Sequence, residues 1–293
     1  MIVLTLLGWT SIPLFLKHFT GLIDGWTANG WRYGFSALMW LPVIFWAMAK
    51  DKMPANLWRA ALPASIFNIG AQICFGLAPY FIDPGLMTFS LRVQIVFVTI
   101  GAVLLFPAER HTIRSWGFLT GIALVLLGTI SVLLLKPGGL GKGSAVGVGL
   151  ALGSGFLYAG YALSVRKHLR GINAMIAFAV VSQYTGAALI ACMLMFGKDH
   201  GATVFAMSGK QIALLLLSAV IGIGIGHTLY YASINRLGLA VSAGVVQLQP
   251  ITVSIGSMLL FQEQLTAVQW VFGVVAVCGA GMILWTQARK SGG

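Results

Sequence analysis

The sequence predicts an all-α membrane protein: ten transmembrane helices, built as two inverted five-helix repeats around a central cavity. Three observations predict it. Of 293 residues, 58% are hydrophobic and only 8% charged, against about 25% charged in a soluble domain. Apolar runs of roughly 18 to 25 residues recur along the chain, each long enough to cross a ~30 Å hydrocarbon core as a helix. The second half also repeats the first in an ordered series. A β-barrel does not fit, because its strands alternate polar and apolar residues, whereas "LTGIALVLLGTISVLLL" (119–135) is apolar all round.

The spans follow in order. The first, 2–19, has no basic leader and no cleavage site after it, so it reads as a retained helix rather than a signal peptide; Trp9 lies several residues inside. Span two, 28–49, has Arg32 near its end, as an interfacial anchor. Span three, 57–79, carries Asn68 and Gln72, four apart and on one face. In span four, 84–106, Arg92 starts about eight residues in, where a central arginine costs roughly 2.5–3.5 kcal/mol. It either snorkels outward or attracts a substrate carboxylate. Gln94 lies roughly 15 Å deep at ~1.5 Å per residue. Span five is 113–135; span six, 144–165, holds Tyr158; span seven, 172–196, holds Gln183.

Span eight, 211–234, contains "GIGIG" (222–226) before His227. The small residues permit close helix packing, and the lone histidine reads as a hydrogen-bonded structural residue rather than a proton relay. Span nine, 238–260, contains "AGVVQLQPI" (243–251), and span ten is 266–287. Gln247 and Gln249 are about 200° apart on a helix, so one faces the cavity and the other a neighbouring helix. Pro250 lacks an N–H, which frees the carbonyl of Val246 and kinks the helix. Such backbone is tolerated at membrane depth only against protein or a water-filled cavity. Adjacent-helix hydrogen bonding is the competing role for these amides. Tyr33, Tyr80, Tyr230 and Tyr231 read as core or belt residues, and Cys74, Cys192 and Cys278, scattered singly, as buried apolar filler.

The repeat lays 85–109 on 238–264. Gly85, Leu86 and Gln94 fall on Gly238, Leu239 and Gln247; after a two-residue slip, Ile100, Gly101, Leu104, Leu105 and Phe106 fall on Ile255, Gly256, Leu259, Leu260 and Phe261, and Trp116 and Phe118 meet Trp270 and Phe272. The units are 1–140 and 144–290, with 291–293 a tag scar. Five crossings per unit invert the second copy, an architecture of many secondary transporters, with the site near the midplane between halves. "GWTSIPLFLKH" overlays "LYAGYALSVRK" at one offset, so Trp9 and Tyr158 match across the pseudo-two-fold axis and form a pair able to sandwich a planar ligand.

Lys and Arg in alternate connections number eleven against five, which puts both termini in the cytoplasm by the positive-inside rule. The net charge of +12 is thereby accounted for without nucleic acid. Asp24, Asp51, Asp83, Glu109, Asp199 and Glu263 all lie in connections or at span ends. No carboxylate at the midplane is available for a proton or Na⁺, so gradient-driven export or exchange is the simplest mechanism. No cofactor is called for. "GGLGKGS" (138–144) fails as a phosphate loop because Gly143 stands where Ser or Thr must follow the lysine. H-E-x-x-H and G-x-S-x-G are absent from the sequence, so the chain does not read as an enzyme.

Ten spans in two halves, a glutamate closing each fourth helix (Ala108-Glu109, Gln262-Glu263) and Gly-spaced fifth helices (Gly117, Gly121, Gly128; Gly273, Gly279, Gly281) resemble the EamA-type branch of the drug/metabolite transporter superfamily. Departures are Ala or Gln where Gly usually precedes the glutamate, and Trp9-Thr10 where Trp-Gly is common. "LLGWTS" (6–11) and "GFLYAGY" (155–161) look most like the YddG-type aromatic amino acid exporters. The resemblance implies a monomeric secondary transporter of the bacterial inner membrane, exporting aromatic or large neutral amino acids by alternating access. Trp9 and Tyr158 would contact the side chain; Gln94, Gln247 and carbonyls near Pro250 would hold the zwitterion; Gln249, Asn68, Gln72, Gln183, His227 and Arg92 are further wall candidates. The alternatives are a multidrug or other-metabolite exporter of the same fold, or a channel-like permease.

Overall fold

A computed structural model describes residues 1–105, 115–135, 142–237, 245–263 and 265–291. Glu109 and its neighbours Phe106, Arg110 and Arg114, Lys136 and most of the 138–144 turn, the Gly238–Leu239 pair of the repeat, Gln264 and the last two glycines lie outside the described residues.

Every regular element described is helical. In chain order they are α1 (Ile2–Phe19), α2 (Gly25–Ala49), α3 (Leu57–Leu77, prolonged by a 3-10 turn, Ala78–Tyr80), α4 (Pro84–Leu91), α5 (Gln94–Leu105), α6 (Trp116–Leu134), α7 (Lys142–His168) and α8 (Ala174–Phe196). Then α9 (Gly209–Ala219) runs through a π-helical segment, Val220–Ile225, into α10 (Gly226–Leu237), and α11 (Gln249–Phe261) and α12 (Ala267–Ser291) close the chain. Seven stretches of the described residues are long and apolar enough to span a membrane, and Gln249–Phe261 and Ala267–Ile283 are shorter apolar helices. Leu4, Leu38, Leu104, Leu134, Met195 and Leu259 point outward and exposed, a belt that water would not tolerate at this extent. The chain is a multi-pass membrane protein.

Helix starts are made locally. Asp24 caps α2, accepting from Thr27 N at 2.9 Å and Thr27 Oγ1 at 2.6 Å, and also takes the backbone N–H of Lys198 at 3.1 Å. Asn173 caps α8 through the N–H groups of Met175 and Ile176. A Ser208/Gln211 capping box opens α9, satisfying N–H groups that have no intrahelical partner.

Packing then joins distant segments: α6 lies along α12, α2 along α8, and α3 along α7. Small residues allow the first contact. A Cβ on Gly128 would sit 2.5 Å from the Phe272 carbonyl oxygen, and one on Gly121 2.9 Å from that of Gly279, so the two backbones touch as small-residue interfaces permit. Gln269 fastens the pair by donating from Nε2 to the Val132 carbonyl at 2.9 Å. Cys278 departs from the expectation of buried filler: it is exposed, and Cys74 and Cys192 are partly buried.

Candidate functional site

Two helices break where the polar residues lie. After α4 ends at Leu91, Arg92 and Val93 make a turn, with Ile95 N bonded to Arg92 O at 3.1 Å, and α5 starts afresh at Gln94. In the second half, Val245 and Val246 are helical, Gln247 and Leu248 form a turn, and α11 begins at Gln249. The expected kink inside the span is thus a complete break. Pro250 occupies the first turn of the new helix, where its missing N–H removes no bond within α11 but leaves the Val246 carbonyl, four residues back, without that donor.

The packing of α4 on α11 brings the breaks together, and Arg92 crosses between them. Its side chain is only 7% exposed, so of the two readings for this residue the outward snorkel is excluded. Nη1 donates to the Val246 carbonyl at 3.3 Å and Nη2 to Gln249 Oε1 at 2.9 Å. Val246 O is the acceptor that Pro250 strands. Gln249 Nε2 in turn donates to the Trp9 carbonyl at 2.7 Å. That acceptor is also proline-freed, since Pro13 lies inside α1 four residues beyond Trp9 and has no N–H to offer it. One Arg–Gln pair therefore satisfies two stranded carbonyls on two helices and ties α1, the α4–α5 turn and α11 into a single knot. Thr10 and Thr252 add a 2.6 Å hydroxyl pair between α1 and α11. Pro13 and Thr10 are the contributors that sequence reasoning missed; the i, i+4 spacing of Trp9 and Pro13 was the available signal.

Gln247 is 7% exposed, and its Oε1 has no hydrogen-bond partner among the described residues. A buried amide oxygen left unmatched costs about 1–3 kcal/mol. Gln94 is half-buried beside Gly155 of α7, where a Cβ would approach the Leu91 carbonyl to 2.9 Å. No hydrogen bond joins Gln94 to Gln247 among the described residues.

Trp9 donates from Nε1 to the Gly222 carbonyl at 3.2 Å, in the π-helical segment. Its ring lies 4.8 Å from Tyr230 and 5.4 Å from His227. His227 stacks on Phe178 at 4.8 Å with 10° between planes, and its Nδ1 is 3.2 Å from the carbonyls of Gly222 and Ile223. Tyr158 instead meets Phe75 edge-on at 6.1 Å; no ring contact pairs it with Trp9 among the described residues.

Other polar candidates bond between helices. Asn68 donates to Thr185 Oγ1 at 2.9 Å and accepts from Gln72 at 3.4 Å, while Asn29 donates to the Gln72 carbonyl at 2.9 Å. Gln183 donates to the Ala37 carbonyl at 2.9 Å. Arg32 corrects an expectation: it is no interfacial anchor but 2% exposed, with Nε donating to Ser218 Oγ at 2.9 Å. The register of α2 turns it inward against α9 rather than out to the lipid boundary. A separate groove of about 310 Å³, lined by Met39, Trp40, Val43, Gly224, Thr228 and Leu229, includes none of the predicted site residues.

At one end of these helices Lys17 Nζ lies 3.0 Å from Glu263 Oε1 and 3.4 Å from Asp83 Oδ1. The contact links the end of α1, the start of α4 and the end of α11. Burial holds the Glu263 carboxyl above its ordinary range, although Ser257 and Lys17 donate to it. Asp24 goes the other way: burial raises it, but the bonds from Thr27 and Lys198 together leave it lowered.

Residues 145–285 match the family described as "EamA-like transporter family". No curated protein matches the chain. A solved structure titled only "Crystal structure of protein" aligns over 98% of this chain and 96% of that one, with a TM-score of 0.68 at 14% identity, a likeness of fold alone.

Proposed function

Because residues 145–285 carry an EamA-like transporter domain, a class of transporters and not of enzymes, we propose that the chain is a secondary, non-ATP transporter. It exports small metabolites, aromatic or large neutral amino acids foremost, across the bacterial inner membrane by alternating access, with both termini cytoplasmic. The carrying observation is the knot of Arg92, Gln249, Val246 O and Trp9 O at two broken helices, with the Gln247 carbonyl beside it left over. Discontinuous helices of this kind form the sites of many secondary transporters.

The packing supports two inverted units of five spans. Exchange α1 with α7, α2 with α8, α3 with α9–α10, α4–α5 with α11 and α6 with α12. The contact of α3 on α7 then becomes that of α9–α10 on α1, and α4–α5 on α7 becomes α11 on α1; each exists. The pairs α2–α8, α4–α11 and α6–α12 map onto themselves. The family match falls within the proposed second unit, 144–290. In this reading the Lys17 contacts with Asp83 and Glu263 close one mouth and open as the halves rock.

The test is efflux of radiolabelled phenylalanine from loaded vesicles. Gln247→Leu and Trp9→Ala are each expected to slow it at least tenfold; wild-type rates in both variants would remove the proposed site.

A further inference from the structure

Among the described residues, the interior of this bundle carries positive charge with no carboxylate opposite it. Arg32 and Arg92 are both buried, and arginine stays protonated in proteins. No carboxylate of the described residues pairs with either: Asp83 and Glu263 answer Lys17, and Asp24 is held by Thr27 and Lys198. Arg92 has five donors. Two atoms have named acceptors, Val246 O and Gln249 Oε1, both uncharged, and Nε, though buried, has none. A guanidinium in this position lacks the planar, bidentate anionic partner that suits it best.

The groups available to a ligand are unequal. A carboxylate arriving at Arg92 meets a full positive charge and an orphaned Nε–H. An ammonium group carries three N–H donors; among the described residues the second broken segment offers it two unpartnered side-chain oxygens, Gln247 Oε1 and Ser254 Oγ, both uncharged, and the nearby Arg92 charge repels it. The Gln247 amide can also rotate to offer its N–H₂ to a carboxylate, since one end of the group accepts and the other donates. Alongside stand the rings of Trp9, Tyr230, His227 and Phe178, continuous with the knot through the Gln249–Trp9 bond.

We infer that the site selects its substrate by the carboxylate, received at Arg92, and by an apolar or aromatic body, and that an amino group is dispensable. Aromatic monocarboxylates without an amino group then belong to the substrate class alongside the amino acids. The inference rests on the transport reading above and changes what that reading predicts: the discriminating charge is one negative, not a zwitterionic pair.

Three probes share a phenyl ring on a two-carbon chain and differ in whether it bears a carboxylate, both groups or an ammonium: 3-phenylpropionate, phenylalanine and phenethylamine. With purified wild-type protein in detergent, the first two are expected to raise the unfolding temperature, as ligands of the folded state do, and phenethylamine to leave it unchanged. Stabilisation by phenylalanine or by phenethylamine without stabilisation by 3-phenylpropionate overturns the inference. Arg92→Lys keeps the charge but loses the fork, and is expected to weaken both carboxylates roughly tenfold or more. The wild-type comparison stands even if that variant folds poorly. Counterflow in liposomes separates the two levels of the argument. Exchange of phenethylamine or other amines but no carboxylate ends this inference and leaves transport intact; no exchange of any solute across the panel ends both.

Discussion

Replacing Gln249 with leucine removes two hydrogen bonds at once, from opposite ends of one amide. The bond to the Trp9 carbonyl, 2.7 Å long, is a neutral interhelical contact of the kind that averages about 0.6 kcal/mol in membrane proteins. The bond from Arg92, 2.9 Å, is charge-assisted, worth about 1.5–3 kcal/mol. Together they predict a loss of about 2–4 kcal/mol, read as a fall of roughly 5–10 °C in unfolding temperature at the few degrees per kcal/mol of large domains. A double-mutant cycle with Arg92→Met gives the sharper assay. If the guanidinium acts through Gln249, the double variant loses less than the sum of the singles by about 1 kcal/mol or more. In a Pro13→Ala background the restored N–H competes for Trp9 O, so Gln249→Leu costs less there. Energies that add within ~0.5 kcal/mol in the cycle would refute the linked knot and leave two unrelated contacts.

Three further outcomes are expected. Asp24→Ala removes the cap of α2 and costs about 1–2 kcal/mol; because the native carboxyl is held low by Thr27 and Lys198, the gap to wild type persists above the ordinary aspartate value and closes as pH falls below it and through the lower native value. For Glu263 the sign reverses. Its carboxyl is held high by burial, so its contribution is present at acid pH and lost as pH rises; the stability of wild type relative to Glu263→Gln should decline as pH rises past the ordinary glutamate value, and a widening advantage would show that the Lys17 ion pair dominates. Gly128→Ala forces a Cβ to 2.5 Å from the Phe272 carbonyl and should cost about 1–3 kcal/mol by overpacking. Gly149→Ala, with nothing within 4 Å, serves as the neutral control in thermal unfolding.

Membrane residence and helical class were legible in the sequence, because the cost of unpaired backbone in hydrocarbon leaves a long apolar run few alternatives to a helix. So was the stranding of the Val246 carbonyl, which follows from Pro250 and covalent structure. Which donor reaches that carbonyl was not legible. Arg92 is 154 residues away, and no local pattern links the two. The same holds for Arg32, whose place near a span end suggested the lipid boundary, while the packing of α2 against α9 turned it onto Ser218. His227 was read as a hydrogen-bonded residue, but its stacking on Phe178 depends on α8 lying beside α10.

Covalent order alone establishes an inventory: where chain can be helical, where prolines strand acceptors, and which side chains carry donors and charge. These follow from one residue and its near neighbours. The pairings came from the packing of helices, because a buried hydrogen bond is directional and spans about 3 Å. Its partners are chosen by how helices hundreds of residues apart in the chain come to lie side by side.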